Sequence, residues 1–586
     1  MIHAKAGSVP ALTATFTLGP LALMVSGPFL LPNHTDPIPS FWNEWWAVAL
    51  GLFAAVLGLG LIRRSHISLP SVLGIPAILL AAMLLQHLHG AHTFPTIPLL
   101  QAAYLLWAGL LMMLGRHLAD TIGIDRLVVV LAAALAACGT VSAGIALLQW
   151  LGLAHVSQWI FAPAGRSFGA NIGQVNHHAH YLWLGIASMF YLHGQGHLPR
   201  AGFWPLVAFL AFASLLGGSR SIFLYACVPL AVILWVESRI SVPPLKKLRL
   251  AAIWLLPLVV ALNILLANMP VTHDVSPATA GERLFAEVSG PSIRLALTRT
   301  AWSAFLEAPL LGQSAGSFPW ASFSVAAQAT DGKAYQVMEH AHNLVLNLLV
   351  EFGAPATLAI LGLLLVWGIR FLRQPWSLPQ AWCASILGIG LIHAMLEYPY
   401  WYAYFLGPTA LLLGACDSGP AFRLTGGRIR LYLLAMAVAG SMILANLRQD
   451  YLDIETISLR PLTLNPDREV SWRLAMDRLL LLHRESLLSP WALLGLATLA
   501  EPDNRQAEER IAVCMRVMHF MPARLLVTRC AIQHAIAGKQ DEAESLLQAA
   551  LRAFPGARGE TLGEIEKWSA IHPQLVALRL SVIDEQ

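Results

Sequence analysis

The chain of 586 residues is 57% hydrophobic and only 12% charged, and its formal net charge at pH 7 is +4. Ordinary soluble domains carry about 25% charged residues, so this composition excludes a soluble globular protein and predicts a polytopic membrane protein. The net charge says little about partners, because in a membrane protein the placement of charges matters more than their sum. No nucleic-acid partner is expected.

Apolar stretches of about the length needed to cross a bilayer recur from the N-terminus to residue 448. The first, 11–31, is longer than the apolar core of a signal peptide and is followed directly by others, so it is expected to remain as a membrane helix. The sequence therefore predicts an all-α polytopic membrane protein with about 12–13 transmembrane helices. The candidate spans lie near 11–31, 45–62, 69–87, 98–115, 126–151, 177–193, 201–216, 220–236, 250–268, 344–369, 381–396, 402–416 and 430–447.

Three changes of character divide the chain into four predicted parts. A transmembrane bundle at 1–268 is followed by one large polar loop at 269–343, and further transmembrane helices at 344–448 are followed by a charged tail at 449–586 that has no spanning stretch. In the tail, 535–555 has the Gly, Ala and Pro spacing of a tetratricopeptide-like helical hairpin. The tail is therefore expected to be a small, soluble helical domain.

Most Lys and Arg residues of the predicted connections fall in one set of alternate loops, which the positive-inside rule assigns to the cytoplasm. The large loop then lies outside, which is the periplasm if the cell is Gram-negative. An odd number of spans places the tail outside as well, whereas an even number places it in the cytoplasm, and the sequence leaves both open. Cys514 and Cys530, both in the tail, could form a disulfide in an oxidising compartment.

Arginines on the outer side are exceptions to this charge bias. Arg220, in LLGGSRSIF, lies at the junction of two apolar stretches, where a charge is costly and often marks a functional contact. Its planar guanidinium suits a phosphate, although a lone arginine there more often only reaches the lipid headgroups. Arg294 and Arg299 lie on different parts of one amphipathic stretch in the large loop, and each alone would be a solvated surface charge.

Polar residues are dense in AGRSFGANIGQVNHHAHYLWLG, 164–185, just before a candidate span. Gln174, Asn176, His177 and His180 are expensive in a membrane unless they face a cavity, so they predict the hydrogen-bonding wall of a polar cavity. A metal site at His177 and His180 is less favoured, because no acidic or cysteine ligand is nearby in the sequence. No CxxC pattern or zinc-ligand spacing occurs.

Two histidines precede an apolar helix pattern in MEHAHNLVLNLLVEFG, 338–353. Residues two apart point in different directions on a helix, so His340 and His342 cannot both face one ligand there. If the helix begins near Asn343, His342 lies beside the helix N-terminus, where anions are favoured. A histidine can act as a general base near neutral pH. Taken alone, the pair would more often cap the helix.

The stretch LIHAMLEYPYWYAYFLG, 391–407, places His393 and Glu397 four residues apart on one helix face. An aromatic belt at the membrane surface explains the tyrosines from Tyr398 onward. It does not explain a glutamate before a proline at the end of a span, which would need an arginine or histidine partner. All these features fall on the same predicted outer side, which favours one functional site there.

Several of these stretches carry a family resemblance. EHAHNLVLNLLVEFG resembles the signature of the O-antigen ligase and polymerase superfamily, and HAMLEYPYWYAYFLG resembles the C-terminal module of bacterial protein O-oligosaccharyltransferases. GRSFGANIGQVNHHAHYLWLG and LPNHTDPIPSFWNEW, 31–45, also look like that subgroup. The resemblance covers residues from about 20 to 450 and is weaker in the tail.

The resemblance implies an inverting, metal-independent glycosyltransferase without a cofactor, in the bacterial inner membrane with its active site facing the periplasm. Its donor would be a glycan on undecaprenyl diphosphate, and its acceptor a Ser or Thr hydroxyl of a periplasmic or pilin protein. The family's arginine in a Ser-Arg pair matches Arg220, a second arginine matches Arg294, and the histidine before Asn matches His342. Where the family usually has a threonine, Gly217-Gly218 stand here. The implied substrate contacts are Arg166, Gln174, Asn176, His177, His340, Asn343, Glu397 and Tyr398.

In this reading Arg220 and Arg294 bind the donor diphosphate and His342 takes the proton from the acceptor hydroxyl. A lipopolysaccharide O-antigen ligase or a polymerase using the same donor is the alternative enzyme. An alternative of another class is a transporter of lipid-linked sugars. Transporters bury their key charges near the bilayer midplane, whereas the candidate residues here gather at one face, which favours an enzyme.

Overall fold

The computed structural model describes residues 8–60, 66–162, 168–240, 243–269, 293–331, 333–419, 422–459 and 468–583. Within these ranges the chain is helical apart from loops and one pair of short strands, which confirms the predicted all-α fold class. The first nine helices are α1 Ser8–Met24, α2 Phe41–Gly60, α3 Gly74–Leu88, α4 Thr96–Ile122, α5 Ile124–Trp150, α6 Val175–Gly194, α7 Arg200–Leu215, α8 Ile222–Glu237 and α9 Pro243–Ala267.

The described residues of the predicted large loop contain the helices α10 Ile293–Glu307 and α11 Phe318–Gln328. The remaining elements before the tail are α12 Leu344–Leu372, α13 Leu378–Ala394, α14 Ala403–Ala415 and α15 Gly426–Leu459. The strands β1 His66–Leu69 and β2 Phe422–Thr425 pair antiparallel. The tail contains α16 Arg468–Glu485, α17 Ser489–Leu499, α18 Ala507–Phe520, α19 Arg524–Ile536, α20 Gln540–Ala553, α21 Arg558–Ser569 and α22 Leu575–Ile583.

Seven of the described helices are long and apolar enough to cross a membrane, namely α2, α3, α4, α5, α9, α12 and α15. The protein is therefore a multi-pass membrane protein. Six further apolar helices in the described ranges are shorter, so the predicted total of about 12–13 spans stays a prediction. The number of spans depends on whether the shorter helices also cross the membrane.

The described residues form two compact units, each assembled from separate parts of the chain. Unit 1 contains Met1–Ala77, Tyr104–Gly290 and Leu361–Leu444, and unit 2 contains Ile78–Ala103, Pro291–Ile360 and Ala445–Gln586. The predicted four-part division follows hydropathy rather than packing, and it stays a prediction.

The centre of unit 1 is α6, which packs against α5, α7 and α13. Every residue of α6 from His177 to Tyr191 is buried, so protein rather than lipid surrounds this helix and its polar residues are tolerated. Glycines allow the close approach: a Cβ on Gly185 would lie 2.9 Å from Leu210 and 3.2 Å from the Leu135 carbonyl. Small residues at helix contacts are typical of membrane proteins.

In unit 2, the tail packs against α11 of the large loop. Phe323 and Ala326 share an apolar cluster with the tail residue Val517, and Arg552 donates to the Ala327 carbonyl oxygen at 2.6 Å. Because these helices touch, the tail lies on the same side of the membrane as the large loop. The side of the tail therefore follows that of the large loop, and the periplasmic location of both stays a prediction. The tetratricopeptide-like character of the tail stays a prediction.

The two tail cysteines, Cys514 in α18 and Cys530 in α19, form a disulfide with a Cα–Cα distance of 5.7 Å, within the usual range. We expect this pair to be oxidised in intact cells, because disulfides persist in oxidising compartments. The measurement is differential alkylation after acid quenching, in which both thiols become reactive only after reduction. A pair that reacts before reduction in freshly quenched cells would place the tail, and with it the large loop, in the cytoplasm.

Candidate functional site

Polar side chains gather in unit 1 where the start of α6 meets the end of α13. The Asn176 amide donates to Glu397 Oε1 at 2.7 Å, so the glutamate at the end of the predicted span has a polar partner. The ring centroid of His393 lies 5.4 Å from that of His177 and 4.6 Å from that of His180. Five polar residues singled out in two distant stretches of the sequence therefore lie together, namely Asn176, His177, His180, His393 and Glu397.

Aromatic rings enclose this cluster. Tyr398 and Tyr402 stack with ring centroids 5.8 Å apart, and Tyr402 lies 4.8 Å from His177. Phe405, in the first turn of α14, stacks on His180 at 4.5 Å. The tyrosine-rich stretch after Glu397 thus folds back onto α6, and these rings are part of the site rather than only a belt facing lipid.

Two residues of this region were missed by sequence reasoning. The Tyr225 hydroxyl lies 2.7 Å from His393 Nδ1, which ties α8 to α13. Glu44 accepts hydrogen bonds from Ser40 at 2.6 Å and from Tyr104 at 2.7 Å. The sequence does contain a signal for Glu44, since it is a lone carboxylate at the start of an apolar stretch. Tyr225 lies within an apolar run that gives no such signal.

Arg220 lies in the turn between α7 and α8, directly before Ser221 and the first residue of α8. A Cβ on Gly217 would lie 2.8 Å from the Val175 side chain, and Gly218 has a φ of +65°. The two glycines therefore let this turn pack against the start of α6, which explains why no threonine stands there. A guanidinium beside a helix N-terminus is a suitable site for an anion.

In unit 2, residues 334–342 precede α12 without forming a helix or strand, and we call this segment the histidine strap. Its backbone is held at four points by side chains of three helices. The bonds are Arg299 to the Ala334 carbonyl at 2.9 Å, Thr300 to the Gln336 N–H at 3.0 Å, Ser322 to the Met338 N–H at 3.2 Å and carbonyl at 3.1 Å, and Asn347 to the Ala341 N–H at 2.9 Å.

The last residues of the strap confirm the predicted helix start. The Asn343 side chain accepts the N–H of Leu346 at 3.1 Å, and α12 begins at Leu344. His342 has a φ of +49°, a left-handed conformation that is uncommon for residues other than glycine. Such conformations persist where the surrounding structure enforces them, and they cluster at functional sites. Here the bond from Ala341 to Asn347 lies directly before His342.

His340 differs from His342 in its surroundings. Burial lowers the pKa of His340 to about 3, and the electrostatic interaction with His342 lowers it further. His340 therefore stays neutral over the whole physiological pH range. Between the two histidines, Ala341 is buried in an apolar cluster with Leu297 and Phe318.

Arg294 lies in the first turn of α10, the helix that also provides Arg299 and Thr300 to the strap. The helix α10, which carries Arg294, thus also positions the strap, which carries His342.

α12 is interrupted at Gly353, which has a φ of +73° and a ψ of 175°. A Cβ on Gly353 would lie 2.3 Å from the Leu310 carbonyl oxygen, so only glycine fits there. The backbone groups released by the break are bonded by the preceding loop, since Gln313 N–H donates to Val350 and Ala354 N–H donates to Pro309, both at 2.8 Å. Irregular backbone in a membrane helix requires such partners. The half-helix after His342 is therefore fixed at both ends.

The predicted site residues fall into two sets. Arg220, Gln174, Asn176, His177, Glu397 and Tyr398 belong to unit 1, and Arg294, His340, His342 and Asn343 belong to unit 2. Arg166 lies outside the described residues. Within the described ranges, no group of three or more His, Cys, Asp or Glu side chains is arranged to hold a metal ion. Metal independence stays a prediction.

Comparison with known proteins gives two family matches and one relative. Residues 205–361 match the family described as O-Antigen ligase, and residues 381–562 match the C-terminal part of the virulence factor membrane-bound polymerase family. The chain is 26% identical over 462 residues to a general O-oligosaccharyltransferase of Acinetobacter baylyi (strain ATCC 33305 / BD413 / ADP1), covering 77% of this chain and 78% of the relative. The first match contains Arg220, Arg294 and His342, and the second contains Glu397.

Proposed function

We propose that this chain, which matches the O-Antigen ligase family over residues 205–361 and is similar to a general O-oligosaccharyltransferase, transfers an oligosaccharide from undecaprenyl diphosphate to a Ser or Thr hydroxyl of a periplasmic or pilin protein. The observation that carries this proposal is the left-handed backbone of His342 at the start of α12. A residue that only capped the helix would not need this conformation, since Asn343 already provides the cap. The name of the A. baylyi relative supports glycan transfer to oxygen.

In the proposed reaction, His342 takes the proton from the acceptor hydroxyl as its oxygen attacks the anomeric carbon of the glycan. The bond between that carbon and the diphosphate oxygen breaks, and its electron pair leaves with the diphosphate. Attack opposite the leaving group inverts the configuration in a single displacement. Arg220 and Arg294 stabilise the negative charge that develops on the leaving diphosphate, which is often the largest contribution to such a rate.

The unit 1 cluster is proposed to bind the sugar or the acceptor. Asn176, His177, Glu397 and Tyr398 offer the combination of hydrogen-bonding groups and aromatic faces that sugars require. The side-chain oxygen of Gln174 caps α6 by accepting the His177 N–H at 2.5 Å. The side-chain NH₂ of Gln174 is therefore the group offered to a ligand. His340 and Asn343 are proposed to support the acceptor beside His342, and Arg166 to contact the glycan.

Lipopolysaccharide O-antigen ligase and polymerase are the alternatives with the same donor, and the two family descriptions favour them as the second candidate. The deciding experiment compares cells with and without the gene, complemented with wild type or His342→Ala. Mass spectrometry of periplasmic and pilus proteins should find a glycan on Ser or Thr with the wild-type gene only. Loss of lipopolysaccharide O-chains with unchanged proteins would identify a ligase, and a change of chain length alone would identify a polymerase.

The strap gives a test of how His342 is positioned. Asn347→Leu removes the acceptor of the Ala341 N–H and leaves a buried donor without its partner, which costs about 1–3 kcal/mol. We expect a fall of about tenfold or more in transfer rate, because small displacements of a catalytic group have large effects. Asn347→Asp keeps an acceptor oxygen and should retain more activity than Asn347→Leu. The comparison is made between variants whose thermal stability is measured and found equal. Equal losses in both variants would contradict this role of the strap.

A further inference from the structure

The large loop contains a helix whose exposed face is apolar. In α10, the exposed fractions of Leu295, Trp302 and Leu306 are 59%, 50% and 58%. At about 100° per residue these three side chains fall within roughly 40° of one another on the helix surface. We propose that this face is embedded in lipid, so that α10 is an interfacial membrane helix on the side of the large loop. The proposal concerns the placement of α10 and does not depend on transfer activity.

Both faces of α10 are apolar, which is unusual for a helix in a polar loop. Its inner face is already covered, since Leu297, Ala301 and Ala304 pack in an apolar cluster with Phe318 of α11. A helix at a water-exposed surface would present charged and polar residues on the opposite side. The outer face of α10 therefore fits an apolar medium rather than water.

Charged residues border the exposed face in the way expected at a lipid surface. Arg294 lies along one edge and Arg299 along the other, and both are partly exposed. The single acid of α10, Glu307, lies at its last position and accepts a hydrogen bond from Gln313 at 2.9 Å. Interfacial helices combine an apolar face with basic flanks, and Trp302 is of the residue type that is enriched at this depth.

The exposed apolar surface continues from α10 to a membrane span within unit 2. After α10, Leu310 and Leu311 are 71% and 41% exposed. The Leu311 carbonyl accepts a hydrogen bond from Gln86 of α3 at 2.8 Å. Three leucines near the end of this candidate span are also exposed. Their exposed fractions are 59% for Leu84, 47% for Leu85 and 70% for Leu88. Since lipid covers an exposed leucine on a span, the same lipid is the occupant best suited to the adjoining face of α10.

The test uses single-cysteine variants Leu295→Cys, Trp302→Cys and Leu306→Cys, reconstituted into phosphatidylethanolamine–phosphatidylglycerol vesicles and labelled with a bimane fluorophore. The background keeps the tail disulfide and replaces the free cysteines, as Cys138→Ala, Cys227→Ala, Cys383→Ala and Cys416→Ala. We expect brominated lipids to quench all three labels by at least half, and aqueous iodide to quench them little.

Two matched positions calibrate the quenching. Leu358→Cys, on α12 and 65% exposed, reports a lipid-facing span, and Glu509→Cys, exposed in the tail helix α18, reports water. Labels on α10 that behave like Glu509→Cys would overturn the proposal. Protection from both quenchers would also overturn it, because it would show that a protein or a second copy of the chain covers the face. A variant that fails to reconstitute leaves two others that test the same face.

Discussion

His342→Ala is expected to lower the rate of glycan transfer by about 10²–10⁴-fold, the usual loss when a general base is removed, while donor binding is retained. The imidazole is proposed only to accept a proton in the reaction, so its removal should act on the chemical step rather than on binding. The measurement uses purified protein, a lipid-linked donor and an acceptor peptide, with donor binding determined separately.

His340→Ala is the matched control, because it removes the same side chain two residues away. This variant should keep appreciable activity. The pKa of His340 is lowered to about 3 by burial, so this side chain stays neutral above that pH and adds no titration of its own near neutrality. A loss of rate on acidification in the wild type should therefore persist in His340→Ala. Reversed results for the two variants would make His340 the base.

If both histidine variants remain fully active, the histidines only hold the helix start and catalysis relies on donor activation by the arginines. A transporter of lipid-linked sugars would also tolerate His342→Ala. Vesicle assays of donor translocation, run beside the transfer assay, separate these two outcomes.

Arg220→Lys is expected to lose most activity, by about 10²-fold, the order found when one stabilising donor is removed from a developing anion. Lysine keeps the charge but not the planar fork that binds a phosphate through two parallel hydrogen bonds. The turn that holds Arg220 leaves little freedom to compensate, because Gly217 packs tightly against Val175. The rate and the affinity for the donor are both measured.

The control is Arg200→Lys, an exposed arginine at the start of α7 in the same unit, which should keep wild-type activity. From the sequence alone, Arg299 is the natural comparison, since it is one more arginine of the large loop. It is unsuitable, because its guanidinium holds the Ala334 carbonyl of the strap. Equal tolerance of lysine at Arg220 and Arg200 would remove the phosphate contact from the proposal.

Some features of this protein follow directly from the sequence. A chain with 12% charged residues and repeated apolar stretches can bury its surface only in a bilayer, so the class was determined by composition. The start of α12 directly after Asn343 and the place of Arg220 before α8 were equally readable, because helix caps and helix starts depend on residues within a few positions of each other.

The tertiary structure decided what depends on residues far apart in the chain. Asn176 and Glu397 are bonded across 221 positions, and the Tyr225 hydroxyl meets His393 across 168. The packing of α11 against the tail placed the tail on the same side as the large loop, which counting spans could not do. The buried anchors of the strap, Thr300, Ser322 and Asn347, look like ordinary helix residues in the sequence. Which helix faces meet is set by the fit of side chains between helices, and a linear pattern of apolar and polar residues does not contain that information.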